Sequence, residues 1–402
     1  MKTSRAVMTA LTVTEEKSAT RAMARGAGFR VELLHGWTQA AARWSDTSPS
    51  TPFQDGLWVD AWYRAFAGVG DVEPLIAAIT DHATGECAAW LPLVRRRQNG
   101  IRIVEFADLD LTDYNAPLLG PAAPRDAQGA AAMWRDLKAA LRRMPGGADL
   151  IRLRKMPVDL AGRPNPLALL DTAAPCLLNG NIVATGEDYD AWRFTLERTV
   201  RKELERSWRV FARDPAAGFR IVTDRNEALQ TLAVTEAQQG ARMQQLGLNF
   251  ILNNDTCAAF YRHLVNDGID SGFTVVSALT VGEEVVATLL GIRRGTRYTM
   301  VRISNAGEKW SNCSPGRLII ERTMAALHQD GVREVDFSIG NYAYKRRFGV
   351  TRFPLVDITA ALGWRGLPYA WRARAVQALH RHPRLEVLLK RALGKAPSRH
   401  ED

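Results

Sequence analysis

The chain has 402 residues, 46% hydrophobic and 24% charged, a length and composition that suit two globular domains better than one core. Its 53 basic and 43 acidic residues leave a net charge of +10, which favours anionic partners: nucleotide cofactors, anionic lipid surfaces or nucleic acid. Four scattered cysteines (Cys87, Cys176, Cys257, Cys313) make no CxxC pair and no His–Cys cluster, which argues against a zinc site or a disulfide framework; no run approaches membrane-span length.

Residues 1–28 lack the apolar core of a signal peptide and read as a leader without fixed structure, with cytoplasmic placement expected. A first lobe over 29–156 comes next. Its aromatic-rich helix Leu57–Ala67 precedes three strands, Leu75–Thr80, Cys87–Val94 and Ile101–Phe106, joined by DHATGE and by the basic turn Arg95–Arg97. Another helix is expected near Asp126–Met144. Residues 157–190, rich in Pro, Gly, Asn and Asp, read as a connecting segment.

A second lobe is expected over 191–362. In the helix Leu196–Arg213, Leu196, Val200, Leu204, Trp208 and Phe211 form one stripe. Arg198, Lys202, Arg206, Arg209 and Arg213 form the other, either a solvated face or a phosphate- or membrane-facing one. After helices over Asn226–Leu246 and Asn254–Asp267, the strands Val275–Thr280, Val285–Ile292 and Tyr298–Ile303 repeat the first meander at an offset of about 200 residues. Local words echo too, AAIT against SALT and LPLVRR against LLGIRR, as tandem homologous domains would.

The stretch richest in chemistry runs from Tyr298 to Ala361. Strand Tyr298–Ile303 enters the loop SNAGEKWSNCSPG, and a helix is predicted from Pro315 to about Gln329, with Ser314 as N-cap and Gly331 as its left-handed terminus. A strand feeding a small-residue loop onto a helix start gathers unpaired amides and the positive end of a helix dipole, a device for holding an anion. Ser311, Asn312, Cys313, Ser314 and Gly316 are the candidate main-chain donors to a pyrophosphate, with Arg317 adding a charge-assisted contact; the same residues also suit a well-capped helix and nothing more. Beyond it come the strand Val332–Phe337, a turn at Ile339–Gly340, NYAYKRRFG, and a last strand Phe353–Ala360.

These residues resemble the CelD/BcsL-type acetyltransferase domain. The shared pattern is Ser314–Gly316 at a helix start, Gly331, Asp336–Phe337, Gly340, Tyr344–Lys345 and Phe348. In the first half, Pro52–Phe53 before Trp58 and Trp62, Leu91–Pro92–Leu93, and Asp113–Tyr114 before Pro117 are similar to that family's N-terminal portion. The likeness spans roughly 50–362 and is sharpest over 311–349. It implies an α/β (α+β) fold: a tandem GNAT-like acyl-CoA N-acyltransferase of two lobes, each with a mixed, mostly antiparallel sheet flanked by helices, distantly akin to Fem-type aminoacyl transferases. The implied activity is acyl transfer from a thioester, with acyl-CoA (acetyl-CoA) as co-substrate, to a saccharide or lipid-linked acceptor in exopolysaccharide or cellulose settings. No permanently bound cofactor, metal or nucleic acid is implied. The usual R/Q-x-x-G-x-G/A phosphate loop is only approximated by SNCSPG, which leaves open a catalytically idle scaffold.

By the same resemblance Tyr344–Lys345 matches an aromatic–Lys pair near the reacting carbonyl. Lys345 is then a candidate for stabilising the oxyanion or a substrate phosphate, Tyr344 for protonating the departing thiolate, with Tyr342 as its understudy. Asp336 is a candidate to orient Lys345, to accept the nucleophile's proton, or to cap the turn Ser338–Gly340. Gln239 and Arg242, with Gln238, are expected near the acceptor, and Asp113–Tyr114 line an inter-lobe cleft or fix a turn. The first lobe has no SPG-like loop and is expected not to bind a donor. From Trp364 to Lys395 there are eight Arg or Lys and one acid among Trp364, Tyr369 and Trp371. This tail, 363–402, reads as a basic amphipathic segment on an anionic membrane face, with packing on the second lobe as the alternative and nucleic-acid binding the weakest reading.

Overall fold

The computed structural model describes residues 28–380 apart from 249, 251 and 253, so the expected leader and the tail beyond 380 lie outside the described residues. In the first half the elements are β1 (Phe29–Leu34), α1 (Trp37–Ala41), α2 (Gly56–Phe66), β2 (Glu73–Asp81), β3 (Cys87–Gln98), β4 (Ile101–Phe106), β5 (Leu118–Leu119), α3 (Ala127–Arg143), β6 (Leu150–Pro157), β7 (Asp159–Leu160), β8 (Arg163–Pro164) and β9 (Ala174–Ala184). The second half adds α4 (Tyr189–Thr195), α5 (Arg198–Phe211), β10 (Ala217–Val222), α6 (Arg225–Gln245), α7 (Asp255–Gly268), β11 (Thr274–Val281), β12 (Glu284–Arg294), β13 (Arg297–Asn305), α8 (Pro315–Gln329), β14 (Glu334–Asp336), α9 (Ala343–Arg347), β15 (Thr351–Ala361) and α10 (Leu367–His380). Short polar caps set the helix starts. Asp126, Asp224 and Asn254 accept from the amides of Gly129, Glu227 and Cys257, contacts of about 1 kcal/mol each.

Both meanders belong to one mixed sheet flanked by helices. Its order is β1-β2-β3-β4-β6-β15-β9-β14-β13-β12-β11-β10, with β5 on β3. Within it the halves have exchanged their last strands. β15, from the second half, pairs antiparallel with β6 of the first, and β9, from the first half, pairs antiparallel with β14 of the second. β15 and β9 also pair with each other. The stretch 157–190, read from its Pro, Gly and Asn content as a connector, therefore supplies a strand at the middle of the sheet. At Gly180 an added Cβ would lie 2.1 Å from the Phe353 ring, so the glycine is what lets β15 lie flat against β9.

Apolar packing joins the halves as well. Trp58, Trp62 and Phe66 of α2 share one buried cluster with Phe260, Leu264 and Val265 of α7, and the Trp58 and Phe260 rings meet edge to face at 5.0 Å. Buried aromatic rings of this kind contribute about 1.5–3 kcal/mol each through area alone. On α5 the predicted stripe is apolar and inward: Leu196, Val200, Leu204 and Phe211 are buried and Trp208 half-buried, while Arg198, Lys202, Arg206, Arg209 and Arg213 are exposed.

Candidate functional site

Two parallel strand pairs, β4·β6 and β13·β14, begin close and then part. β13 and β14 are in register only from Arg297↔Glu334 to Thr299↔Asp336, after which the chains splay. On its other side β13 shifts register against β12, Leu290 pairing with Arg302 and Gly291 with Met300, so Val301 is a bulge. A bulge rotates the residues beyond it, which is why polar positions along β13 slip from Arg297 and Thr299 to Arg302 and Ser304. Between the splayed strands lies a cavity of about 130 Å³, lined by Met300–Ile303, Phe337–Ile339, Tyr344, Lys345 and Asp113.

Lys345 is buried on α9, and its Nζ donates to the carbonyls of Ile339 (2.6 Å) and Ser338 (3.3 Å). An ammonium has three N–H donors, so one is left for the cavity. Burial pulls this ammonium down to about 8, opposed by Asp113 and Asp336. The Tyr342 ring lies 5.4 Å from Nζ, and Tyr342 stacks on Tyr344 with centroids 6.1 Å apart. Tyr342 is exposed and Tyr344 half-buried; burial raises the Tyr344 phenol to about 12, so it carries its proton at neutral pH. The turn that presents the two carbonyls is itself pinned from β9: Asn181 Nδ2 donates to Ser338 O (2.7 Å) and Gly340 O (3.0 Å).

The first half reaches into this site. Tyr114 donates its hydroxyl to Asp336 at 2.8 Å, and Ser338 N donates to the same carboxylate oxygen at 2.7 Å. Asp336 thus caps the turn before Ser338, whose φ of +61° is left-handed. Buried, with one oxygen accepting from both Tyr114 and Ser338 N, it caps this turn, and burial raises it to about 6. Asp113 is the carboxylate that faces the cavity. Half-buried, it is pushed to about 6 by burial, against the pull of Ser338, Lys155 and Lys345.

The turn before α8 differs from its expected form. Ser314 has φ +47°, and its side chain makes no cap bond, because the left-handed backbone turns Oγ to accept from Arg317 Nη2 at 2.9 Å. Its amide is spent on Ser311 O, and the amides of Arg317 and Leu318 turn back on Ser314 O. Cys313 is buried with Sγ donating to Trp310 O, so its side chain faces the core. Arg317 Nη1 pairs with Glu203 at 2.8 Å, as does Arg347 at 2.5 Å. Ser311 and Asn312 are exposed, Gly316 half-buried.

Of the acceptor-side candidates, Gln239 bonds to two residues of the cavity wall: its Nε2 donates to Ile303 O (3.0 Å) and its Oε1 accepts from Arg302 Nε (3.0 Å). Gln238 likewise bonds Val285 O and Ser304, and Arg242 is exposed. Sequence reasoning missed Arg302. Almost wholly buried, it lies 4.4 Å from the Tyr261 ring centroid, and the broken alternation along β13 was the signal for it. In the first half the space beside β4 and β6 holds only about 10 Å³, lined by Glu105, Asp108, Asn115, Arg152 and Arg154, and Lys155 Nζ meets Asp108 at 2.8 Å.

Residues 198–346 match the family model described as acetyltransferase (GNAT) domain. The fold is similar to the crystal structure of FemX, with TM-score 0.54 and 10% identity over 81% of this chain and 96% of that one. A tandem GNAT protein from the clavulanic acid biosynthesis pathway overlays with TM-score 0.45 and 12% identity, over 83% of this chain and 99% of that one. A search of curated proteins finds no match.

Proposed function

We propose that this chain moves an acyl group from coenzyme A thioester to an amine or hydroxyl, with the reacting carbonyl in the cavity between β13 and β14. The observation that carries the reading is the gathering of Lys345, Tyr344 and Asp113 around one small space at the open end of a parallel strand pair. The acceptor's lone pair attacks the carbonyl carbon and the carbonyl π pair moves to oxygen, where the free N–H of Lys345 meets it. Asp113 takes the proton from the attacking nitrogen or oxygen. The oxyanion's pair then re-forms the C=O as the C–S bond breaks, its electrons leave on sulfur, and Tyr344 protonates the thiolate and regains a proton from the solvent as Asp113 gives one up. The donor's pyrophosphate is assigned to the start of α8, near Gly316, Ser311 and Asn312, where Arg317 and Arg347 would exchange the Glu203 carboxylate for phosphate.

Likeness to the CelD/BcsL-type pattern motivates a cell-envelope or exopolysaccharide precursor as acceptor. A second reading, an idle scaffold, draws on the turn itself, since Ser314, Arg317 and Leu318 keep their amides for the chain. Thiol release across acyl-CoA chain lengths, with thermal stabilisation by coenzyme A alongside, separates them. Ligand stabilisation together with turnover supports transfer; no shift at saturating coenzyme A supports the scaffold. Turnover confined to long chains would point instead to an N-acyltransferase loading a lipid amine.

A further inference from the structure

Outside the site, the most unusual surface is the one just after β15. Trp364, in the turn Trp364–Gly366, and Leu367, Trp371 and Val376 of α10 are 77%, 48%, 70% and 44% exposed. Single exposed apolar residues need no explanation, but two tryptophans within eight positions on one short segment do. Arg365, Arg372 and Arg374 stand among them, all exposed, and Trp364–His380 contains no acidic residue. The Arg365 guanidinium lies 5.4 Å from the Trp364 ring.

This segment is rigidly held. Ala370 is buried against Ile101, Ile103 and Leu150, and Tyr369 packs beside it. At Gly366 an added Cβ would lie 1.9 Å from Asp149 O, so the turn is pressed against the sheet. Arg142 Nε donates to Leu362 O at 3.1 Å just ahead of it. The outward side chains are thus presented by a bolted helix with its inner face already occupied.

We propose that the Trp364–Trp371 face docks on an anionic lipid bilayer, the indole rings and Leu367 entering the headgroup boundary and the three arginines meeting lipid phosphates. Indoles favour that boundary because they are apolar with one polar N–H, and arginine takes phosphate oxygens in pairs. Charge decides against a second copy of this chain. A two-fold contact on this face would bring six arginines together, and Trp364–His380 carries no carboxylate of its own to offset them. Leu367 beside the two indoles decides against nucleic acid, which offers an aliphatic side chain nothing comparable to an acyl layer.

The 402-residue chain is sedimented with vesicles of phosphatidylcholine alone or mixed with phosphatidylglycerol, at low and high salt. Binding is expected to be at least tenfold stronger to the anionic vesicles at low salt and to weaken at high salt. Replacing Arg365, Arg372 and Arg374 by Gln is expected to lower it about a hundredfold, from about fivefold for each arginine near such a surface. Trp364→Glu with Trp371→Glu should abolish it while thermal stability and transfer to soluble acceptors stay unchanged. Equal binding to both vesicle types overturns the proposal, as does pelleting that neither variant alters. A dimer in light scattering that the variants split assigns the face to a second copy. Loss of oligonucleotide binding in the variants, with vesicle binding intact, assigns it to nucleic acid.

Discussion

Tyr114 and Asp336 lie 222 positions apart, one in each half of the chain, and share a 2.8 Å hydrogen bond in the buried floor of the site. With Asn181 of β9 holding the adjoining turn, they make the geometry around Lys345 a joint product of both halves.

Tyr114→Phe removes one of two donors from a buried carboxylate, at a cost of about 1–3 kcal/mol. The Tyr114 hydroxyl favours the ionised form of Asp336, whose carboxyl sits at about 6. Below that pH the group is neutral in both proteins, and above it the variant must hold a less supported charge. The destabilisation should therefore grow as pH rises through 6, read by urea unfolding at pH 5 and pH 8.

Lys345→Ala should lower turnover by about 10²–10³-fold, as removal of an oxyanion donor does, without a matching loss of folding cooperativity. Because its ammonium sits at about 8, activity should decline as pH rises through that value. Lys345→Arg keeps the charge and should move the decline to higher pH; pH profiles of kcat/KM check both.

Asp113 should govern the acid side. It must be ionised to take a proton, and with its carboxyl at about 6 activity should fall as pH drops through 6. In Asp113→Asn the acid limb should vanish and kcat drop by about 10²-fold or more.

Much of the site was legible because its residues sit in local patterns: the helix beginning at Pro315, the Tyr344–Lys345 pair, and Asp113–Tyr114 before Pro117. The exchange of β9 and β15 was not. Asn179–Gly180–Asn181 breaks the β-type run of β9, and the strand exists because β15 and β14 pair with both its edges, information held by distant residues. The turn before α8 misled for a related reason. Ser-Pro-Gly signals a capped helix start, but the left-handed Ser314 gives its side chain to Arg317, and Glu203 on α5 holds that arginine.

Gly180→Ala tests the exchange. Its Cβ would lie 2.1 Å from Cζ of the Phe353 ring, so the cost should be about 1–3 kcal/mol of overpacking, seen as a lower urea midpoint for the whole chain and not for one half.

Gly316→Ala separates folding from donor binding. A Cβ there meets only Asn305 Nδ2, at an ordinary 3.6 Å, so thermal stability without ligand should be unchanged. Stabilisation by coenzyme A should fall in Gly316→Ala and disappear in Gly316→Glu, where a carboxylate faces the phosphates.

Acyl transfer at the junction of the two halves is tested most directly by coenzyme A release from acetyl-CoA, measured with a panel of amine and hydroxyl acceptors for the native chain, Lys345→Ala and Asp113→Asn. Acceptor-dependent release by the native protein, reduced about 10²-fold or more in both folded variants, is the predicted result. Release that persists undiminished in either variant would contradict it.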